Sequence, residues 1–278
     1  MTQVIAVLMT CHNRKAMTLR CLDRLFRQAL PSFVTLRVYL VDDGSTDGSG
    51  PAVQEVFPQV TVIQGNGTLF WCEGTRLAWR HAAETDPEFY LWLNDDVALR
   101  PRALETLLAV TSNNCRRAVV VVGSCCDPAT RKHTYGGHIL SDSGHHPARL
   151  SPVVPDAIAA KPCDTFNGNC VLLTRAVFLE VGFMRRFGHA MGDTDYGLLA
   201  RRNGIPVLIG PGYVAECTGH PIEQSWLNRT LSRKQRWQML VGRKGLPPAD
   251  WWRLLWTHAG SRALLYWPVP YLRVLVGR

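Results

Sequence analysis

No uninterrupted apolar run in this sequence reaches the roughly 18 to 20 residues that would span a bilayer, so no transmembrane helix is expected. The opening run Val4–Met9 is short and lacks a basic flank and a cleavage site, which argues against a secretory leader. CxxC pairs are missing. The nine cysteines are odd in number, two of them (Cys125 and Cys126) are adjacent, and their spacing with histidine fits no common zinc site. Reduced thiols in a cytoplasmic protein are expected, not a disulfide framework. Glycine is missing where a dinucleotide-binding turn would need it. The first apolar run leads into Thr10-Cys11-His12-Asn13-Arg14, and Gly65-Asn66-Gly67 is too short for that fingerprint. A Walker phosphate loop, an internal repeat and a low-complexity segment are absent as well.

Acidic residues are scarce in one place. From Asn228 onward there are ten Lys or Arg and one acid, Asp250. That stretch alone carries the chain's net charge of +9, so residues 1–227 balance to zero. It also holds Trp237, Trp251, Trp252, Trp256 and Trp267. The chain therefore divides into a neutral body and a basic, tryptophan-rich tail. Its 46% hydrophobic and 19% charged residues suit a folded protein, not a disordered one.

Short apolar runs alternate with helical spacing through the first half. Strands are expected at Val4–Met9, Leu36–Val41, Val60–Ile63, Phe89–Leu93 and Ala118–Gly123. Helices are expected at Lys15–Ala29, Gly50–Phe57 and Glu73–Ala83, with another starting at Pro101 and running to about Val110. This βαβ order predicts an α/β fold: a mostly parallel sheet with helices on both faces. After Ser124 the pattern loosens. One strand is expected over Thr165–Thr174, helices near Arg175–Val181 and over Asp193–Arg202 (ended by Gly204), and short strands at Val207–Ile209 and Tyr213–Glu216. Beyond Gln224 the chain reads as helical, broken at Gly245-Leu246-Pro247-Pro248 and at Pro268 and Pro270. Helical spacing over Trp252–Tyr266 puts Trp252, Leu255, Trp256, Ala259, Ala263 and Tyr266 on one side.

In open α/β sheets, ligands bind beyond the carboxyl ends of the strands. Three polar clusters fall there: Thr10 to Arg14, Asp42-Asp43 and Asn94-Asp95-Asp96. Any one could be an ordinary turn or cap. Three at three strand ends point to one crevice. Two carboxylates after a buried strand suit a hard divalent cation, Mn²⁺ or Mg²⁺, beside a diphosphate.

These stretches resemble family 2 glycosyltransferases of the GT-A fold, in the bacterial rhamnosyltransferase-like branch. The resemblance rests on Val7 to Arg14, Val41-Asp42-Asp43-Gly44-Ser45-Thr46-Asp47, Leu93-Asn94-Asp95-Asp96, Phe166-Asn167-Gly168-Asn169 and Gly192-Asp193-Thr194-Asp195-Tyr196-Gly197, in family order over residues 4 to 220. It implies a Rossmann-like GT-A domain over residues 1–224, with nucleotide-sugar binding in about 1–123 and the acceptor side and catalytic base in about 124–224, followed by a helical tail over 225–278. It implies that Thr10 and His12 line the base, that Asp43, with Asp42, holds base or ribose, and that Asp95 and Asp96 sit at ribose and metal, Asp96 being the ligand. Asp193 falls where the family places its catalytic base, and His220 where some relatives meet the metal or diphosphate. Asn94 replaces the first Asp of the usual DxD, and Gly192 stands where the family often has an acid.

The implied reaction is inverting transfer from a nucleoside-diphosphate sugar, dTDP-rhamnose or a UDP-sugar, to a hydroxyl of a saccharide or lipid-linked acceptor in cell-surface polysaccharide synthesis. The basic, tryptophan-rich tail adds an expected partner, the anionic inner face of the inner membrane, and so a peripheral location. Two rival readings predict different signatures. A sugar-nucleotide nucleotidyltransferase would carry a Gly- and Arg-rich opening loop, which is missing. A non-enzymatic nucleic-acid-binding protein would turn the tail's basic residues to phosphates; nucleic acid is not an expected partner.

Overall fold

The computed structural model describes residues 2–114, 117–141, 146–219, 223 and 225–277. The first half alternates as expected: β1 (Gln3–Cys11), α1 (Lys15–Phe26), β2 (Val34–Asp42), α2 (Ser49–Val56), β3 (Thr61–Gln64), α3 (Phe70–Ala83) and β4 (Phe89–Leu93). Strands β1 and β4 and the second half of β2 are apolar runs because they are covered on both faces, whereas β3 lies at the sheet edge and is only partly buried. In β1, Ala6 and Leu8 face one core with Tyr90 and Trp92 of β4. Ile5, Val7 and Met9 face the other, with Leu22 and Leu25 of α1. This is the period of two that puts successive side chains on opposite faces.

The middle of the chain runs through β5 (Ala98–Leu99), α4 (Ala103–Ser112), β6 (Val120–Cys126), β7 (His133–Tyr135), β8 (Gly137–Leu140), β9 (Leu150–Pro152), β10 (Lys161–Pro162), β11 (Thr165–Phe166), β12 (Cys170–Thr174), α5 (Arg175–Val181), α6 (Gly192–Arg202) and β13 (Val207–Glu216). The main sheet has the order β10-β13-β6-β12-β4-β1-β2-β3, with β5 on β13 and β7 on β6; β11, β8 and β9 form a small second sheet. Strands β4, β1, β2 and β3 are mutually parallel, as are β6 and β13. Strand β12 runs antiparallel to both of its neighbours, β4 and β6. The sheet is thus mostly parallel, with one reversed strand at its centre.

Four element expectations need correction. Thr165–Thr174 is not one strand. Thr165 and Phe166 pair with β8, and the chain then crosses at Asn167–Asn169 into the main sheet. Conversely, Val207–Glu216 is one strand, with register shifts between Ile209 and Ala215 standing where a loop was expected. Pro101 lies in a turn ahead of α4, and Arg102 caps that helix with φ +64°. Helix Trp252–Tyr266 is not continuous, because Gly260 takes φ +58° and breaks it. That conformation is open to glycine at little cost.

The tail folds as α7 (Arg233–Val241), α8 (Pro248–Ala259), a 3-10 turn at Gly260–Arg262, α9 (Ala263–Tyr266) and α10 (Val269–Leu275). It does not stand apart. Leu240, Trp251, Leu254, Leu255, Tyr271 and Val274 are buried in the same core as Trp79 of α3 and Tyr196 of α6. Among the described residues, no helix is long and apolar enough to cross a membrane. The cysteines described are free and buried.

Candidate active site

The site is assembled at the carboxyl edge of β1, β2 and β4. Asn13 at the end of β1 takes φ +52° and accepts backbone N–H bonds from Thr46 (2.7 Å) and Asp47 (3.3 Å). Its own N–H donates to Ser45 Oγ at 2.9 Å. His12 Nδ1 donates to the Asp43 carbonyl at 2.7 Å. The loops after β1 and β2 therefore hold each other in place. Thr10 faces α3: its hydroxyl is buried with no hydrogen-bond partner among the described residues, and a Cβ on Gly74 would lie 2.5 Å from it.

Asp42 and Asp43 are both buried but differ in reach. Asp42 accepts from Ser45 N (3.0 Å) and Gly50 N (3.0 Å), so both oxygens hold its own turn and the start of α2. Asp43 accepts from Gly67 N (2.8 Å) and Phe70 N (2.9 Å), which ties the loop after β3 to the end of β2. Each carboxylate oxygen can accept more than one bond, so Asp43 keeps capacity for a ligand. Gly65 belongs to this clamp, since a Cβ there would fall 2.7 Å from Asp43 Oδ1. Gly65-Asn66-Gly67 is thus not a phosphate fingerprint but the strap that Asp43 fastens.

Asp95 and Asp96 share one cation, the Arg14 guanidinium. Arg14 Nη1 lies 3.0 Å from Asp95 Oδ1 and 2.9 Å from Asp96 Oδ2. Burial pushes the Asp95 carboxyl up to about 6; Arg14 opposes the rise and Asp96 adds to it. Arg14 carries part of the matched motif, yet no role follows for it from sequence. Its partners become visible once β1 and β4 are adjacent. Arg76 instead pairs with Glu73 at 3.3 Å, and Arg229 is exposed.

Asn94 does not turn toward that cation. Its Oδ1 accepts the Trp71 indole N–H at 2.6 Å, and its backbone N–H donates to Asn169 O at 3.0 Å. The reversed strand β12 explains the second bond: Cys170 pairs with Leu93, so Gly168 and Asn169 arrive beside the end of β4. Gly168 sits tightly there, because a Cβ would meet the Trp71 ring at 2.4 Å and Asp193 Cβ at 3.3 Å. Asp193, in the first turn of α6, accepts from Gly168 N (2.9 Å) and Thr194 N (2.8 Å). Burial raises its carboxyl above the ordinary carboxylate value, against the pull of those N–H groups. Trp71 and Gly168 thus join the end of β4 to the start of α6. Trp92 is not available for stacking on a sugar, since it is fully buried among Trp79, Phe166 and Tyr196.

Gly192 also has a physical reason. A Cβ there would fall 2.8 Å from Met184 Sδ and 3.0 Å from Cys72 Sγ, so no acidic side chain fits beside Asp193. Two residues on, Asp195 is fully buried and pairs with Arg185 through both oxygens (Nε to Oδ2, 2.8 Å) and with His258 Nε2 at 2.8 Å. Sequence spacing gives no sign of that network, because Arg185 lies in the irregular stretch ahead of α6 and His258 in the tail helix α8.

The donor set fits a hard divalent cation. Asp95 and Asp96 are adjacent carboxylates that already seat a positive charge between them. Cys217, near Asp96 at 3.7 Å, is pushed up to about 12 by burial and stays a neutral thiol. No third His, Cys, Asp or Glu completes a metal cluster among the described residues. His220 lies outside the described residues.

With this geometry in view, comparison decides the family. The chain matches glycosyl transferase family 2 over residues 6–178, which is more than half its length.

The chain belongs to glycosyl transferase family 2.

It is also similar to an N-acetylglucosaminyl-diphospho-decaprenol L-rhamnosyltransferase of Mycobacterium tuberculosis, 26% identical over 254 residues and covering 82% of this chain and 81% of that one. Solved structures share the fold. A mannosyltransferase from Pyrobaculum calidifontis, in complex with GDP-Man and Mn²⁺, is 18% identical with a TM-score of 0.55, covering 99% of this chain and 73% of that one. S. aureus TarS 1-349 in complex with UDP-GlcNAc is 13% identical with a TM-score of 0.59, covering 96% and 74%. The enzyme is therefore a glycosyltransferase of the GT-A fold, and family membership decides for glycosyl transfer over nucleotidyl transfer.

Proposed function

We propose that this glycosyltransferase moves a sugar from a nucleoside-diphosphate donor to a hydroxyl of a saccharide or lipid-linked acceptor, with inversion at the anomeric carbon, in cell-surface polysaccharide synthesis. One observation carries the reading: Asp193 is held, through Gly168 and Trp71, beside the strand end that bears Asp95 and Asp96. A base and a charge-neutralising site thereby share one crevice, as a single in-line displacement requires.

Asp193 takes the proton of the acceptor hydroxyl, and the oxygen attacks opposite the departing diphosphate. Burial raises its proton affinity above that of an ordinary aspartate, which makes it a stronger base. Asp43 and His12 hold the nucleoside end, with Thr10 in the floor and Asp42 shaping the turn. Asp96, with Asp95, would hold Mn²⁺ or Mg²⁺, and His220 is a further candidate ligand. A bound divalent ion would supply charge neutralisation at the diphosphate. Arg14 Nη1 now holds the place between the two carboxylates that such an ion would take. Its guanidinium offers five fixed N–H donors that would suit phosphate oxygens of the donor. Rhamnose as the transferred sugar is supported by the named activity of the mycobacterial relative, and a UDP-sugar by the TarS complex.

The test is a screen of dTDP-, UDP- and GDP-sugars for hydrolysis and thermal stabilisation, with and without Mn²⁺. Asp96→Ala should keep the fold, lose transfer and lose the Mn²⁺-dependent part of nucleotide binding. Transfer at the parent rate would remove Asp96 from the metal site.

A further inference from the structure

Seven of the fifteen large apolar side chains exposed among the described residues lie between Trp256 and Val276. Scattered exposed apolar residues are ordinary, whereas a contiguous set is not. Helix α10 shows how the set arises. Tyr271 and Val274 are buried against the body. On the opposite side Val269, Leu272 and Val276 follow at spacings of three and four, with Leu265 one turn earlier, and these last three are 54%, 63% and 70% exposed respectively. A helix apolar on two sides calls for an apolar neighbour on each. The described chain supplies one.

Beside this stripe lies a groove of about 640 Å³ lined by Pro248, Ala249, Trp252, Leu264, Trp267 and Pro268. No side chain in that lining is charged. The Trp267 indole N–H donates inward to Pro248 O at 2.9 Å, so only apolar ring surface is left for the groove.

Charge decides the occupant. Beyond Asp250 the chain has no acid, and the Asp250 carboxylate already accepts the Gly188 N–H at 2.7 Å. Arg262 and Arg273, in the same segment as the apolar set, are exposed. A second copy docking by two-fold symmetry would bring like charges together. A nucleic acid would leave the leucines in water. An anionic lipid surface satisfies both features, taking the apolar side chains at the headgroup boundary and the arginines at the headgroups. We propose that α8 to α10 form a docking surface for an anionic bilayer, with Leu265, Leu272 and Val276 inserted and Arg262 and Arg273 on the headgroups. Its purpose rests on the glycosyl-transfer reading. Thr257 and His258 of α8 also bond Arg185 and Asp195, so this surface adjoins the helix that carries Asp193. A lipid-linked acceptor would be met there.

The experiment is sedimentation of the full chain with phosphatidylcholine vesicles, with and without phosphatidylglycerol, at low and high salt. The parent should pellet with anionic vesicles at low salt and bind neutral vesicles, or bind at high salt, at least about tenfold more weakly. The triple variant Leu265→Gln, Leu272→Gln, Val276→Gln should lose at least about tenfold in binding while melting and hydrolysing donor as the parent does. Leu272→Gln alone should give a smaller loss in the same direction, and Arg262→Gln with Arg273→Gln should flatten the salt dependence. Equal vesicle binding by parent and triple variant overturns the proposal, as does a folded parent that binds no vesicles. A parent dimer that the triple variant dissolves, without vesicle binding, assigns the surface to a second copy instead. Vesicle binding as expected with no hydrolysis of any donor in the screen by either protein upholds the docking surface and rejects the proposed donors.

Discussion

At the scale of single residues, the site works by sharing. Arg14 spans Asp95 and Asp96, Asp43 accepts two N–H groups of the loop after β3, and Asp193 accepts the N–H of Gly168. Asp193→Asn preserves shape and cannot accept a proton, so kcat should fall by about 10² to 10⁴ while donor affinity stays near the parent value. Single-turnover kinetics with a donor-binding isotherm checks this. A large loss of affinity at unchanged turnover would make Asp193 a binding residue. The pH profile gives a second reading. Burial raises the Asp193 carboxyl, so the ionised base is lost on acidification earlier than for an ordinary aspartate. Activity should fall as pH drops through that raised value. The residual activity of the asparagine variant should lack this acid limb.

At the scale of elements, the reversed strand and the tail helix do the positioning. Strand β12 enters the sheet backwards and so delivers Gly168 to the end of β4. Helix α6 is held from outside by Arg185 and by His258 of α8. His258→Ala removes one of the partners of a fully buried carboxylate. Leaving a buried group under-satisfied costs about 1 to 3 kcal/mol, so the melting temperature should drop by several degrees. Because α6 carries Asp193 in the same turn, kcat should fall with donor affinity nearly intact. His258→Gln, which can still donate to Asp195, should restore much of both. A variant that loses stability with no change in kcat would limit His258 to the fold.

At the scale of the whole molecule, the tail is core as well as surface. Leu240, Trp251, Leu254, Leu255, Tyr271 and Val274 are buried with the sheet's own residues. Burying a large apolar side chain is worth about 1.5 to 3 kcal/mol, and six of them together rival the usual 5 to 15 kcal/mol margin of a folded protein, about as much as the enzyme can lose. A chain ending at Leu227 should therefore be insoluble or unfolded. Circular dichroism and size exclusion of the truncated chain check this. A soluble, cooperatively folded truncation that hydrolyses donor would show a separable tail.

The sequence by itself determined the long strands of the first half, because a buried strand is an apolar run whatever its neighbours. It also placed the polar clusters of residues 10–14, 42–43 and 94–96 at strand ends, since turns interrupt those runs. Membership of the family followed from the same stretches. Strand direction and order were decided only in three dimensions. A run such as Cys170–Thr174 reads alike in either sense, and periodicity does not record which strand lies beside it. Arg14 with Asp95 and Asp96, and Trp71 with Asn94, depend on that order, while Asp195 with Arg185 and His258 depends on how the tail packs against α6. The tail shows the same division. Its charge and tryptophans were plain in sequence, but four of the five tryptophans turned partly or fully inward, while leucines and valines took the outer face. A helix with apolar residues all round does not declare which side meets the protein. Packing against α3, α6 and the sheet made that choice.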